Sequence, residues 1–156
     1  MEYMKLNYFI IPLIVFLVAF TGSLITSGGM DWYKTINLPV WTPPGSVIGI
    51  AWTIIFILSA ISALIVWNRF PRGRRFSWIF IIFGINALLN IFWSYLFFDK
   101  HLLNFALWEA GFLFVSVVLL VILIRPVSRL AAILLYPYAI WGAFATYLTY
   151  TVWMLN

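Results

Sequence analysis

No cysteine occurs anywhere in this sequence, so neither a disulfide framework nor a thiolate metal site is open to it. Histidine is almost as scarce. His101 stands alone, which excludes multi-histidine metal sites and leaves little for a histidine-based triad. Charge is the third scarcity: 8% of the 156 residues are charged while 65% are hydrophobic. A soluble domain of this length needs far more polar surface to cover its core. The +5 net charge invites nucleic acid, but the basic residues sit in short gaps between apolar runs and no recognition module accompanies them. Nucleotide loops, acid–base pairs and internal repeats are also missing from the pattern. No metal, cofactor or nucleic-acid partner is expected, and the solvent around most side chains must be lipid.

What is present is a set of long apolar runs. Crossing a hydrocarbon core of about 30 Å takes roughly 20 helical residues at 1.5 Å each. Five segments qualify: 6–27, 46–67, 77–98, 103–124 and 130–153. Lipid offers no partner to backbone polar groups, so the segments must be helices, and the alternating ten-residue pattern of a β-barrel does not occur. The expectation is an all-α integral membrane protein, a single bundle of five transmembrane helices over residues 1–156. The first apolar stretch exceeds the usual core of a signal peptide and no A-x-A site follows, so it reads as an uncleaved helix. Pro39, Pro43, Pro44, Pro71 and Pro126 fall at boundaries. Pro12 and Pro137 lie inside helices near their starts, where kinks are tolerable.

Polar groups within the hydrocarbon need an inward partner, a cavity or water. Asn86, Asn90 and Ser94 recur every four residues and share one face of the third helix. They read either as interhelical glue or, for Asn90, as part of a site. By the helical rise, Asn90 and Trp52 lie roughly 10–12 Å deep and Trp141 about 18 Å deep. Trp32, Trp41, Trp67, Trp78, Trp93 and Trp153 suit the headgroup interface, whereas Trp52 and Trp141 are too deep for it. A buried indole N–H seeks an acceptor, which points to an aromatic pocket in the outer half, with Ser23 at its rim, suited to a large flat hydrophobic ligand. Glu109, about 9 Å inside the fourth helix, is either a functional carboxylate or a partner for Lys100 or His101. The first loop, 28–45, carries Trp32, Tyr33, Pro39, Trp41, Pro43 and Pro44, and reads as a lid over the pocket or as an aromatic anchor. Gly45–Gly49 and Ala106–Ala110 are small-xxx-small pairs fit for helix contacts.

Three stretches carry a resemblance. Leu38-Pro39-Val40-Trp41-Thr42-Pro43-Pro44-Gly45 with Ile48-Gly49-Ile50-Ala51-Trp52 resembles the first loop and second helix of the TspO/MBR family, the tryptophan-rich sensory and translocator proteins. Leu89-Asn90-Ile91-Phe92-Trp93 with Phe97-Phe98 is similar to that family's third helix. Leu134-Leu135-Tyr136-Pro137-Tyr138-Ala139-Ile140-Trp141 with Phe144-Ala145-Thr146 is similar to its fifth. The resemblance implies a five-helix bundle, usually a homodimer, whose cavity is closed by the first loop and binds porphyrins such as protoporphyrin IX or benzodiazepine-type ligands. It implies Ser23, Tyr33, Pro43, Trp52, Asn90, Trp93, Tyr138, Trp141 and Ala145 as ligand-binding residues, with Trp52 and Asn90 donating to a carbonyl or carboxylate. Some members degrade protoporphyrin IX in light and oxygen, and in that alternative Trp52 and Trp141 would be the catalytic residues. A second alternative is a structural or partner-binding bundle with no saturable ligand. Leu38 replaces a common lysine, Thr149 a common asparagine, and Met154 the basic residue of the family's sterol-associated pattern after Leu148 and Tyr150. Sterol is therefore a doubtful partner, although a loose match to the same pattern survives at Leu89, Tyr95 and Lys100.

Charge orients the bundle. One side carries Lys5, Arg69, Arg72, Arg74, Arg75, Arg125 and Arg129, the other only Lys34 and Lys100. In a bacterial cell membrane this predicts a cytoplasmic N-terminus and an outside C-terminus. Reporters fused after Asn156 test it: a periplasm-dependent phosphatase is expected to be active there and a cytoplasm-dependent fluorescent protein dark.

Overall fold

Backbone groups crossing hydrocarbon must bond within their own segment, and each apolar run folds accordingly. The computed structural model describes residues 5–156. In chain order it contains α1 (Asn7–Tyr33), α2 (Gly45–Arg69), α3 (Arg74–Ser94), α4 (Leu103–Ile124), the short α5 (Arg129–Ile133) and α6 (Tyr136–Leu155), with no strand among the described residues. Five spans are long and apolar enough to cross a membrane: α1, α2, α3 with its extension to Asp99, α4, and α5 with α6. The protein is an all-helical integral membrane protein.

Three boundaries differ from the sequence expectation. Helix α1 continues through Gly28 and Gly29 to Tyr33, so the first loop is only Lys34–Pro44. The α3 span starts at Arg74 and ends in a π-helical turn, Tyr95–Asp99, where the Lys100 amide reaches the Tyr95 carbonyl at 2.9 Å. The wider turn lets Leu96, Phe97 and Phe98 all face inward, which three consecutive residues of a regular helix cannot do. The fifth span is broken at Leu134–Leu135. Pro137 has no N–H to give the Ile133 carbonyl, and the Leu135 amide turns tightly to Ala132 at 3.0 Å.

The helices form a ring. α4 packs most extensively on α6 and α3, α3 on α1, and α1 on α2, while α2 meets α5 and touches α6 only over a short stretch. At the arginine-bearing end Val66, Phe76, Ile79, Leu120, Ile124, Ala131, Ala132 and Leu135 make one buried cluster. There the Arg72 guanidinium lies 4.4 Å over Trp67 and 4.1 Å over Phe76. At the opposite end Leu96, Phe97, Phe98, Ala106 and Val152 make another. Ala106 and Ala110 are both buried, and the Ala110 carbonyl accepts from the Thr146 hydroxyl, so this small pair seats α6 on α4. Among the described residues no neighbour lies within 4 Å of a Cβ placed on Gly45 or Gly49, so that pair does not mark a close helix approach within the chain.

The loop Lys34–Pro44 crosses this second end of the ring. Ile36 and Leu38 pack into the aromatic cluster there, and Pro39 is buried. Trp41 stacks on Tyr147 of α6 at 5.5 Å and 12°. The Asn37 amide donates to Asn156 Oδ1 at 2.9 Å, and Asn156 Nδ2 returns a bond to the Asn37 carbonyl at 2.9 Å. Next to this closure α1 meets the π turn so closely that a Cβ on Gly29 would collide with the Phe98 carbonyl and lie 2.7 Å from Phe98 Cβ, whereas one on Gly28 meets nothing within 4 Å. Overpacking of this kind costs about 1–3 kcal/mol. Thermal denaturation in detergent is therefore expected to show Gly29→Ala melting well below the wild type, and Gly28→Ala at or slightly above it.

Candidate functional site

The interior between the two end clusters is organised by one hydroxyl. Tyr138, on the first turn of α6 after the break, is 3% exposed and points at α3. Its hydroxyl donates to Asn86 Oδ1 at 3.0 Å and accepts from Asn90 Nδ2 at 3.3 Å. Asn86 Nδ2 in turn donates to Ser116 Oγ at 2.8 Å, and Ser116 donates to the Leu113 carbonyl at 2.6 Å. The four-residue spacing that puts Asn86 and Asn90 on one face of α3 thus joins α3, α4 and α6. Ser116 and the Ser62 hydroxyl, which bonds the Ala131 carbonyl at 2.8 Å between α2 and α5, were not among the expected residues. Their signal was a hydroxyl within an apolar run, a lone serine in α4 and one of a pair with Ser59 in α2.

Rings surround this network. Trp52 meets Tyr138 edge-to-face at 5.9 Å and Phe56 at 5.8 Å. Ile55, Val117 and Tyr138 form the buried core of that group, with Trp52, Ala139 and Trp141 against it. Trp141 also packs on Phe144 at 5.2 Å. Of the nine residues expected at a ligand site, Trp52, Asn90, Tyr138 and Trp141 therefore lie together. Tyr33 and Trp93 lie one layer nearer the loop, packed against Phe97 and Phe98. Pro43 is half-buried in the loop and Ala145 half-buried on α6. Ser23 is exposed, and Gly22 beside it faces α3, where a Cβ would sit 3.6 Å from Ser94 Oγ.

Three groups here carry unpaired polar atoms. The indole nitrogens of Trp93 and Trp141 and both carboxyl oxygens of Glu109 are buried without a hydrogen-bond partner. Trp93 is therefore no headgroup anchor, contrary to the sequence reading. Its ring lies inside the aromatic cluster because the π turn folds Phe97 and Phe98 around it. Glu109 is not paired with Lys100 or His101 either. Lys100 bonds Asp99 at 3.0 Å, and His101, in the left-handed region at φ 57°, stacks on Trp32 at 3.9 Å. Glu109 instead lies on the inward face of α4 with Ala106, Ala110 and Leu113 and is 4% exposed.

A half-open cleft with about 200 Å³ of free space lies on the other side of the network, toward the arginine end, between α1, α2 and α3. Asn86, Asn90 and Tyr138 form its polar wall, and the rest is mostly apolar. Removing the hub hydroxyl with Tyr138→Phe leaves Asn86 Oδ1 without its donor. Interhelical hydrogen bonds in membranes are worth about 1–2 kcal/mol, so this variant is expected to melt several degrees lower. Ser116→Ala, which leaves the Tyr138 bonds in place, is expected to fall less.

Comparison with known proteins agrees with this architecture. The sequence profile of the TspO/MBR family matches residues 10–154. The tryptophan-rich protein TspO of Bacillus cereus is 30% identical over 99% of both chains. That of Chlorobaculum tepidum is 32% identical over 89% of both. The human translocator protein is 30% identical over 88% of this chain and 82% of its own. With five apolar spans in the order and spacing described above and a profile match over nearly the full length, the chain belongs to the TspO/MBR family.

Proposed function

We propose that this protein binds a flat, largely hydrophobic ring system, a protoporphyrin-type tetrapyrrole being the best fit, between α2, α3 and α6 beneath the Lys34–Pro44 loop. The carrying observation is that two indole N–H groups are buried without acceptors, that of Trp141 in the group around Tyr138 and that of Trp93 one layer nearer the loop, against Phe97 and Phe98. Leaving a buried donor unmet costs about 1–3 kcal/mol. A ligand carboxylate or carbonyl reaching Trp141 would recover that cost while the macrocycle stacks on the rings of Trp52, Tyr138 and Trp141. Membership of a family whose relatives are named tryptophan-rich sensory protein and translocator protein supports a sensing or translocating role for the bound molecule.

Entry requires an opening. Ligand sites are commonly about 300–1,000 Å³, more than the packed ring cluster leaves free, so the loop must lift or α6 must swing from α2. Both are physically available. The loop is held by the packing of Ile36, Leu38 and Pro39, the Trp41 stack and a few hydrogen bonds, with no covalent tie, and α2 contacts α6 over a short stretch only. The placement of Trp52 and Trp141 around Tyr138 also favours a second reading, light- and oxygen-dependent porphyrin degradation, since electron-rich indoles would then border a photo-excited ring.

Titration of the purified protein in nanodiscs with protoporphyrin IX in the dark, followed by tryptophan quenching, tests the proposal. Saturable binding is expected. Trp52→Phe, Trp141→Phe and Asn90→Ala should each weaken it by about tenfold, the equivalent of about 1.4 kcal/mol. Quenching that never saturates and ignores all three substitutions would mean the porphyrin merely dissolves in lipid. Repeating the experiment under illumination separates the second reading: products that vanish in Trp52→Phe and Trp141→Phe support chemistry, and identical bleaching in every variant removes it.

A further inference from the structure

We infer that the cleft between α1, α2 and α3 is a second ligand site, separate from the ring cluster, for an uncharged single-ring molecule carrying one hydroxyl or carbonyl group. Its volume is about 200 Å³. The space is a cleft open on one side, with Ile14 and Gly84 at its exposed margin, and it has room for one ring with a short substituent. It is too small for a tetrapyrrole.

The lining supports the same class. Ile11, Ile14, Val15 and Val18 come from α1, Phe56, Ser59 and Ala63 from α2, and Phe80, Phe83, Gly84 and Ala87 from α3. No lining residue is charged, so an ionised ligand would enter without a counter-ion at a large desolvation cost. The polar end wall of Asn86, Asn90 and Tyr138 is largely committed to its own bonds. Ser59 is not: its hydroxyl is buried and has no hydrogen-bond partner. A serine within a helix ordinarily returns its hydroxyl to the carbonyl four residues earlier, so a free one at the edge of a cleft offers a single donor or acceptor to whatever fills it. An acyl chain satisfies the apolar walls but brings nothing to this hydroxyl.

The cleft opens outward beside α3, where Gly84 is itself exposed. A Cβ placed on Gly84 meets nothing within 4 Å. Side chains can therefore be grown into the space from Gly84 or the adjacent Ala87 without pushing a neighbouring helix. The site also borders the ring cluster through Phe56, which touches Trp52 at 5.8 Å, and through Tyr138, which belongs to both. The two sites are thus separated by one layer of side chains.

The test uses 4-ethylphenol and ethylbenzene as probes, with equilibrium dialysis and thermal shift of the nanodisc-held protein. Wild type is expected to take up one equivalent of either probe saturably, with 4-ethylphenol the tighter. Gly84→Leu, and independently Ala87→Leu, should abolish saturable uptake of both while melting at or above the wild-type temperature. Ser59→Ala should weaken 4-ethylphenol by about fivefold and leave ethylbenzene unchanged. Equal uptake by wild type and both filled variants would overturn the proposal, because the probes would then only partition into lipid. Equal loss of the two probes in Ser59→Ala would overturn the hydroxyl's assignment. Lipid that co-purifies with wild type, is lost in Gly84→Leu and cannot be displaced by either probe would make the occupant an acyl chain instead. None of these readouts involves porphyrin, so they stand or fall independently of the ring-cluster site.

Discussion

Inside a bilayer the hydroxyl of Tyr138 has no water to fall back on, and the two amides it reaches have none either. Their mutual hydrogen bonds satisfy these polar atoms at mid-depth and tie α3, α4 and α6 in one rotational setting. Much else follows from that setting. With Asn86 and Asn90 turned inward, Phe83, Gly84 and Ala87 must face the neighbouring cleft. Trp52 and Trp141 both come to the buried group that contains the same tyrosine. The network is both the floor of the aromatic cluster and the end wall of the cleft beyond it.

The two ends of the bundle are stabilised differently. The arginine end is dry packing of aliphatic and phenylalanine side chains, with a guanidinium lying over two rings at its margin. The loop end mixes aliphatic side chains with the rings of Trp32, Tyr33, Trp93, Phe97 and Phe98, and the Trp93 N–H there finds no acceptor, like that of Trp141 a layer deeper. Well-packed protein interiors rarely leave such groups unmatched, and where several occur together a ligand is the economical explanation. Glu109 belongs to the same inventory: a carboxyl group 4% exposed, among alanines and a leucine, with neither oxygen bonded.

Helix number and approximate spans were legible because the lipid requirement acts on every residue, and hydrophobic length alone records it. The inward face of α3 was legible because Asn86, Asn90 and Ser94 repeat at helical spacing. What escaped is local. The continuation of α1 through Gly28 and Gly29 depends on the π turn of α3 lying against Gly29, a tertiary contact with no sequence signature of its own. Trp93 looked like a headgroup anchor because its depth suggested one, yet the widened turn folds Phe97 and Phe98 around its ring. Pro137 was placed near a helix start where a kink is tolerable. The structure turns that kink into a break, because the proline removes a donor at the junction of α5 and α6 and the Leu135 amide turns to Ala132.

That break divides the last span into a short base and a long arm. α5 is tied to α2 through the Ser62 hydroxyl at the arginine end, while α6 beyond the break carries Tyr138, Trp141, the Tyr147 ring under the loop tryptophan and the Asn156 side chain that clasps Asn37. Mechanically α6 is a lever. Its pivot is Leu134–Leu135, the aromatic cluster sits on its inner third, and the loop is fastened to its far tip. A few degrees of rotation at the pivot would displace the tip most and the base hardly at all. One hinge can therefore unfasten the loop and widen the gap beside Trp52 in the same stroke, with the anchored end of the bundle left undisturbed.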